Sequence, residues 1–360
     1  MSPEPPADFV EQIKGGTGPF HYDGETILTY RGPADAVELV TWMPSFPPPA
    51  PFSRLDGDTW YLRLFLPATA RIEYRLRVTH GRRVTEIDDP LNPASTSNPF
   101  GKNCVVTGAA YRSPWYAGSG LAGTLSEIRV TSTRLSGRRH HSIYLPAGVT
   151  MATAKALLLV HDGSDSLEHG GLGSSLDHLV GAGSVSPLAA VLLDPWDRIR
   201  EYGASASHSA HVADEVLPHL ARRMRLRASR EQTVAVGSSL GGVASLALAY
   251  HYPELVGGAV LLSGSFAHRV DHRWPPAVFL PVIEFLQQLD PFVLSETSIY
   301  QSVGRYEGLV DFNRRLRPIL SSGGARLRSI ETWTGHDWEA WRDRLEDALG
   351  FLLPRPDPNN

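Results

Sequence analysis

The segment Val234-Ala235-Val236-Gly237-Ser238-Ser239-Leu240-Gly241-Gly242 constrains this chain more than any other. It joins a short apolar run to the helical pattern Val243–Tyr250, with a glycine two residues before Ser239 and another two residues after it. G-x-S-x-G in that setting reads as a sharp strand-to-helix turn that lifts one serine hydroxyl above the end of a sheet. The glycines are required because strand and helix approach too closely there for a side chain. The start of the helix directs positive potential at negative charge developing beside the hydroxyl. A glycine-rich structural turn would carry the same letters. The strand before and the helix after favour a nucleophile, and the spacing selects Ser239 over Ser238.

Such a turn needs a sheet covered on both faces, and the surrounding sequence supplies one. Ala156–Val160, Leu188–Leu193 and Thr233–Val236 are continuous apolar runs, as parallel strands buried on both sides should be. Helical patterns at Ser175–Ala182, Ala210–Met224 and Val243–Tyr250 alternate with them. Two further strands are expected at Ile128–Thr133 and His141–Leu145. The fold class is therefore α/β, a mostly parallel sheet flanked by helices. The first third differs. Val37–Met43, Trp60–Leu66 and Ile72–Val78 read as short strands, and proline-rich stretches separate them (Pro44–Pro51 and Asp89-Pro90-Leu91-Asn92-Pro93). No convincing helix appears from Thr26 to Tyr111, so this part predicts a small antiparallel β-sandwich. The 360 residues divide on this reading into an all-β domain, 1–112, and a catalytic domain, 113–360. The ends, Pro3–Pro6 and Pro354–Asn360, are expected to fray.

A serine hydroxyl is a poor nucleophile without a base beside it. There are 14 histidines, so only context can select one. His336 follows a β-like segment, Ser329–Trp333, and a glycine, and precedes the amphipathic stretch Trp338–Leu352. That puts it on a loop at the carboxyl edge of the sheet, where sites in open α/β sheets lie. Its competing role is a helix-capping or surface histidine. His140, His141, His161, His169, His208, His211 and His268 read as structural. The acid should fall between Ser239 and His336, after the penultimate strand Ser298–Val303. Glu307 is best placed there, unless it serves only the dipole of the helix at Leu309–Leu320. Asp311 is the alternative one turn on, and Asp337 a more distant one. The oxyanion hole needs two amides: Leu240, after the nucleophile, and one from the strand end Val160-His161-Asp162-Gly163-Ser164-Asp165, where Ser164 is chosen. Asp162 reads as a structural hydrogen-bonding residue.

Net charge −4 and pI about 6.4 give no basic excess for nucleic acid. The single cysteine, Cys104, excludes an intramolecular disulfide and fits a reducing compartment. The segment following Met1 has no signal-peptide pattern, and no apolar run reaches the roughly 18 residues needed to span a bilayer. A cytoplasmic protein is expected, with no membrane partner.

Taken in order, several motifs resemble the enterochelin (enterobactin) esterase family of ferric-siderophore trilactone hydrolases and its esterase D-like α/β-hydrolase relatives. They are Asp162-Gly163, Asp194 with Arg198-x-x-Glu201, Gly237-Ser238-Ser239-Leu240-Gly241-Gly242, Ser263-Gly264-Ser265-Phe266, and Gly335-His336-Asp337 with Trp341-Arg342. The N-terminal part, down to Asp89-Pro90-Leu91-Asn92-Pro93, resembles that family's β-sandwich, so the resemblance covers most of the chain. It implies a cytoplasmic Ser–His triad esterase with Ser239, His336 and Glu307, working on an ester or lactone with no metal or other cofactor. It also implies that Arg198 and Glu201 shape the site edge, against a structural ion pair as the competing role.

A small-molecule ester, a ferric siderophore first among them, is the expected partner. Such a complex is strongly anionic, and Arg198, Arg200, Arg269 and Arg273 could gather against it. Trp196, Phe266, Trp274 and Trp338 could wall its aromatic rings, or could equally be core or lid packing. Two other functions compete: a general carboxylesterase of feruloyl or simple-ester type, or acyltransferase, on the same machinery, and a non-catalytic glycan-binding protein, because the sandwich resembles carbohydrate-binding modules. Oligomeric state is not readable from the sequence.

Overall fold

The computed structural model describes residues 6–46, 50–99, 101–270 and 276–353. They form two compact units. One comprises Met1–Ser113 with the short segments Gly304–Gly308 and Thr332–Asp337; the other comprises Pro114–Val303, Leu309–Glu331 and Trp338–Asn360.

The first unit is built from two antiparallel sheets. One has the order Phe20–Tyr22, Glu25–Arg31, Thr59–Leu64, Ser53–Asp56; the other runs Ala50–Pro51, Ala36–Val40, Arg71–His80, Gly101–Thr107, Ser95–Asn98, and Arg83–Ile87 also pairs with Arg71–His80. The period-2 pattern decides which side chains go inside. Trp60, Leu62 and Leu64 are buried and Arg63 is exposed. They share a core with Leu39, Tyr74, Leu76 and Val78 of the second sheet. The Asp89–Pro93 motif is a structural anchor: the Tyr74 hydroxyl donates to Asp89 Oδ2 at 2.6 Å and accepts from Asn92 Nδ2 at 2.9 Å. A helix at Ala7–Gly15, not expected from the sequence, buries Phe9 and Ile13 one turn apart against Ile27.

The second unit centres on an eight-stranded sheet: β1 (Thr124–Thr131), β2 (Arg138–Leu145), β3 (Ala156–His161), β4 (Leu188–Leu193), β5 (Thr233–Ser238), β6 (Gly258–Leu262), β7 (Ser298–Gly304) and β8 (Arg326–Thr332). The order is β1-β2-β4-β3-β5-β6-β7-β8. β1 and β2 join antiparallel, and β4, β3, β5, β6 and β7 run parallel. Every residue of β3, β4 and β5 is buried. Alternation sorts them by face. Leu157, Leu159, Ala189, Val191 and Leu193 enter one core, and Ala156, Leu158, Leu188, Ala190 and Leu192 the other. Each fully buried leucine or valine contributes about 1.5–3 kcal/mol.

The helices are α1 (Gly163–Glu168), α2 (Leu172–Gly181), α3 (Arg198–Tyr202), α4 (Ala206–Ala210), α5 (Leu240–His251), α6 (Pro276–Gln288), α7 (Val310–Ser322), α8 (Trp338–Arg342) and α9 (Leu345–Leu352). α4 runs on through π-helical turns at His211–Val216 and Leu220–Met224. α5, α6 and α7 cover one face, and α2, α8 and α9 the other. This is the α/β-hydrolase arrangement, preceded by an all-β domain. β6 and α6 are not among the expected elements, and the amphipathic stretch Trp338–Leu352 is two helices, α8 and α9, rather than one. No described helix is long and apolar enough to cross a membrane. Of the residues weighed from the sequence, Arg273 and Trp274 lie outside the described ones, as do most of Pro3–Pro6 and all of Pro354–Asn360.

Candidate active site

β5 ends at Ser238, and α5 begins at Leu240, with Ser239 between them at φ 55° and ψ −122°. A non-glycine residue held there costs about 1–3 kcal/mol and persists only when its surroundings fix it. Three backbone hydrogen bonds do so. Ser239 N–H donates to Leu262 O at 2.9 Å, and Ser239 O accepts from Gly242 N–H at 3.1 Å and Ser265 N–H at 3.0 Å. The glycines have the role the spacing implied. A Cβ on Gly237 would lie 2.1 Å from Gly241 O, and one on Gly241 would lie 3.2 Å from Asp162 Oδ2. The Ser239 hydroxyl is half-buried and lies 3.2 Å from Ser265 Oγ. In the sequence Ser265 is one residue of the Ser263-Gly264-Ser265-Phe266 motif, and nothing in its spacing points to a contact with Ser239.

The Leu240 amide, the first of α5, has no acceptor within the helix and suits an oxyanion. The second chosen donor does not. Ser164 N–H donates to Asp194 Oδ1 at 3.0 Å, and its hydroxyl donates to Asp194 Oδ2 at 2.6 Å. An amide engaged by a carboxylate is not available to a second anion, so the expectation for Ser164 is corrected here. Gly163 beside it is fixed by packing, because a Cβ would meet Leu192 Cβ at 2.4 Å.

Glu307 and His336 are brought together in the first unit. Glu307 Oε2 is 2.5 Å from His336 Nδ1, and Glu307 Oε1 accepts from Gly304 N–H at 2.6 Å. The Glu307 side chain is 1% exposed and the His336 side chain 31%. A buried carboxylate on Nδ1 fixes the tautomer with its proton on that nitrogen, which leaves Nε2 as the basic one. Asp311, the alternative acid, is 67% exposed beside Arg314. Asp337 binds Arg71 instead.

The remaining expectations divide. Arg198 forks onto Asp162, with Nη2 2.7 Å and Nε 2.9 Å from its carboxylate oxygens, and keeps 40% of its side chain exposed. Glu201 does not pair with Arg198. It takes Arg139 at 2.9 Å and the amides of Trp196 and Asp197 at 3.1 and 3.2 Å. Burial alone would raise the Glu201 carboxyl, but His208, the Asp197 amide and Arg139 outweigh it and hold it at about 2. Trp196 is 63% exposed, with the Arg139 guanidinium 4.1 Å from its ring centroid. Phe266 is 1% exposed inside the main core, so its expected role as a substrate wall is corrected to packing. Trp338 is half-buried, edge-on to Trp341 at 4.9 Å, and lines a small pocket with Ser238, Ser166, Leu172 and Arg342. Four of the histidines read as structural, His141, His161, His208 and His211, are buried and meet in pairs. His161 Nδ1 meets Ser245 Oγ at 2.9 Å and its Nε2 meets His208 Nε2 at 3.1 Å, while His141 and His211 pair at 3.0 Å.

Residues 132–304 match the esterase family described as "Putative esterase". Among curated proteins, the iron(III) enterobactin esterase of Dickeya dadantii is 28% identical over 293 residues, which is 76% of this chain and 66% of that protein. The iron(III) salmochelin esterase of Escherichia coli O6:H1 is 26% identical over 326 residues, covering 82% of this chain and 78% of the other. Among solved structures, the ferric enterobactin esterase of Salmonella typhimurium superposes with a TM-score of 0.75 over 95% of this chain and 98% of that one, at 20% identity. A ferulic acid esterase superposes over 64% of this chain, and 98% of its own, with a TM-score of 0.54 at 18% identity. At these identities the structural likeness is one of fold.

Proposed function

We propose, from the premise that this chain belongs to the same esterase family as the iron(III) enterobactin and salmochelin esterases, that it is a serine carboxylic ester hydrolase acting on a siderophore lactone. The observation that carries the catalytic reading is the Glu307–His336 pair. A carboxylate buried to 1% and set on a histidine nitrogen at 2.5 Å is poorly explained by folding needs, and a glycan-binding role would give it no work.

In this reading, His336 Nε2 accepts the Ser239 proton as the hydroxyl oxygen attacks the ester carbonyl. Glu307 holds the ring in the working tautomer and stabilises the imidazolium that forms. The Leu240 amide, at the positive end of α5, stabilises the tetrahedral oxyanion. Collapse of that intermediate passes the proton from His336 to the leaving alkoxide and leaves an acyl group on Ser239. Water, deprotonated by the same imidazole, then releases the acid. What supports uniting Ser239 with His336 and Glu307 is chain order and topology. β5, β6 and β7 run parallel, Ser239 follows the end of β5, Glu307 follows the end of β7, and His336 comes last, as this class requires.

The substrate class rests on the relatives' activities and on two exposed groups suited to an anionic aromatic ligand, Arg198 and Trp196. A panel comparing ferric enterobactin-like trilactones, feruloyl esters, acyl acceptors and p-nitrophenyl acetate tests it. The trilactone is expected to be turned over with the highest kcat/KM. A trilactone rate no better than that of p-nitrophenyl acetate would replace the siderophore reading with a general esterase or acyltransferase.

A further inference from the structure

Asp337 directly follows His336, and the group that grips it comes from the start of the sandwich strand Arg71–His80. Arg71 is fully buried. Its Nη1 donates to Asp337 Oδ1 at 2.9 Å and to Glu73 Oε1 at 3.1 Å, and both carboxylate side chains are only 3% exposed. The Arg71 backbone N–H donates to Trp333 O at 3.0 Å. One residue therefore ties down the histidine loop on both sides of His336. Between those ties, Gly335 rests on Met43, where a Cβ would lie 2.6 Å from the methionine Cε. The segment after Met43 holds the acid loop in the same way. Ser45 N–H donates to Tyr306 O at 3.2 Å, Ser45 Oγ donates to Glu307 O at 3.3 Å, and the Phe46 ring meets Tyr306 edge-on at 5.2 Å.

Burying a guanidinium between two carboxylates is a costly way to make a core. Apolar residues of equal volume commonly serve stability as well or better, whereas a charged fork fixes direction. We propose that Arg71 is a positioning residue: through Asp337 and Trp333 the N-terminal sandwich sets the His336 ring against Glu307. This inference rests on the reading of His336 as the general base.

The test uses the full chain with Asp337→Asn, Arg71→Lys, and Tyr74→Phe as a control. The control breaks buried hydrogen bonds to Asp89 and Asn92 elsewhere in the same sandwich. Three quantities are read: kcat and KM on a simple ester, the melting temperature, and the low-field proton resonance of His336 Nδ1–H bound to Glu307. Misplacing a catalytic group by about 1 Å costs on the order of 10²-fold. Asp337→Asn and Arg71→Lys are expected to lower kcat by about that factor, to leave KM within about twofold, and to shift or broaden the resonance. Tyr74→Phe is expected to lower the melting temperature and change neither kcat nor the resonance. If the single variants do not fold, Arg71→Met with Asp337→Leu and Glu73→Gln, which removes all three buried charges together, is expected to fold and show the same kcat loss. An Arg71 or Asp337 variant, folded, with wild-type kcat and an unmoved resonance overturns the proposal. If His336→Ala keeps full activity, the general-base reading fails instead. The resonance, which needs no turnover, then still reports whether Arg71 sets the His336–Glu307 geometry.

Discussion

Glu307→Gln separates charge from shape at the point where the mechanism depends on charge. The two glutamate oxygens have different partners: Oε1 accepts the Gly304 amide at 2.6 Å and Oε2 faces His336 Nδ1 at 2.5 Å. A glutamine fills the same volume but has one acceptor and one donor. Turning its NH2 toward Gly304 would set two donors against each other in a buried site, at about 1–3 kcal/mol. Turning its oxygen toward Gly304 keeps that hydrogen bond, and the NH2 then requires His336 Nδ1 to accept. The imidazole can comply by moving its proton to Nε2, which removes no hydrogen bond, so this arrangement wins. Nε2 then carries a proton and cannot take one from Ser239. The equivalent carboxylate-to-amide change in the serine protease template lowers kcat by about 10⁴, or about 5.4 kcal/mol of barrier at about 1.36 kcal/mol per factor of ten. Pre-steady-state acylation by p-nitrophenyl acetate at neutral pH measures it, with urea unfolding to show that stability changes by no more than about 1–2 kcal/mol. A folded Glu307→Gln enzyme within tenfold of wild type would refute the assignment of Glu307 as the acid.

Ser265→Ala removes a neutral hydroxyl contact with Ser239 worth about 1 kcal/mol, so kcat/KM should change by less than about tenfold; a loss of a thousandfold would put Ser265 in the proton path. Gly237→Ala sets a Cβ 2.1 Å from Gly241 O and should destabilise by about 3 kcal/mol or more, read as a lowered melting temperature by calorimetry, whereas an unchanged melting temperature would contradict the packing of the turn. Stability should also fall as pH drops from 7 to 5.5. Burial, then the neighbouring His211, pushes His141 down to about 3, and burial pushes His161 well below its ordinary value. The folded state thus refuses protons that the unfolded chain takes up below about pH 6.5, at up to about 1.4 kcal/mol per histidine per pH unit. Over one unit the two together amount to at most about 3 kcal/mol. Glu201, held at about 2, adds its loss only below about pH 4.5, so urea unfolding at pH 7 and 5.5 isolates the histidines; a flat or rising stability over that window would refute the account.

Much of the catalytic unit was legible because its signals are local. A buried parallel strand is a continuous apolar run, and β3, β4 and β5 were found that way. β6 and α6 are missing from the sequence expectation, although Gly258–Leu262 carries the same kind of apolar run. Glu307 could be preferred over Asp311 from its place after β7. The partners of charged residues were not legible, because they depend on contacts between distant segments. Arg198 was weighed against Glu201, yet it reaches Asp162, 36 positions away, and Glu201 reaches Arg139, 62 positions away. Ser164 was chosen as an oxyanion donor from its offset alone, and the offset does not reveal Asp194. Phe266 looked like a wall because aromatic side chains suit cores and binding sites equally. Arg71 gave no sign at all, since its partner Asp337 lies 266 positions further along.

The central claim is that Ser239 is the nucleophile and His336 its base. It is tested most directly by reacting the protein with a fluorophosphonate and mapping the modified peptide. The account predicts one adduct, on Ser239, absent in Ser239→Ala, and formed at least about 10³-fold more slowly in a folded His336→Ala variant. An adduct on another residue, or labelling of His336→Ala at the wild-type rate, would contradict it.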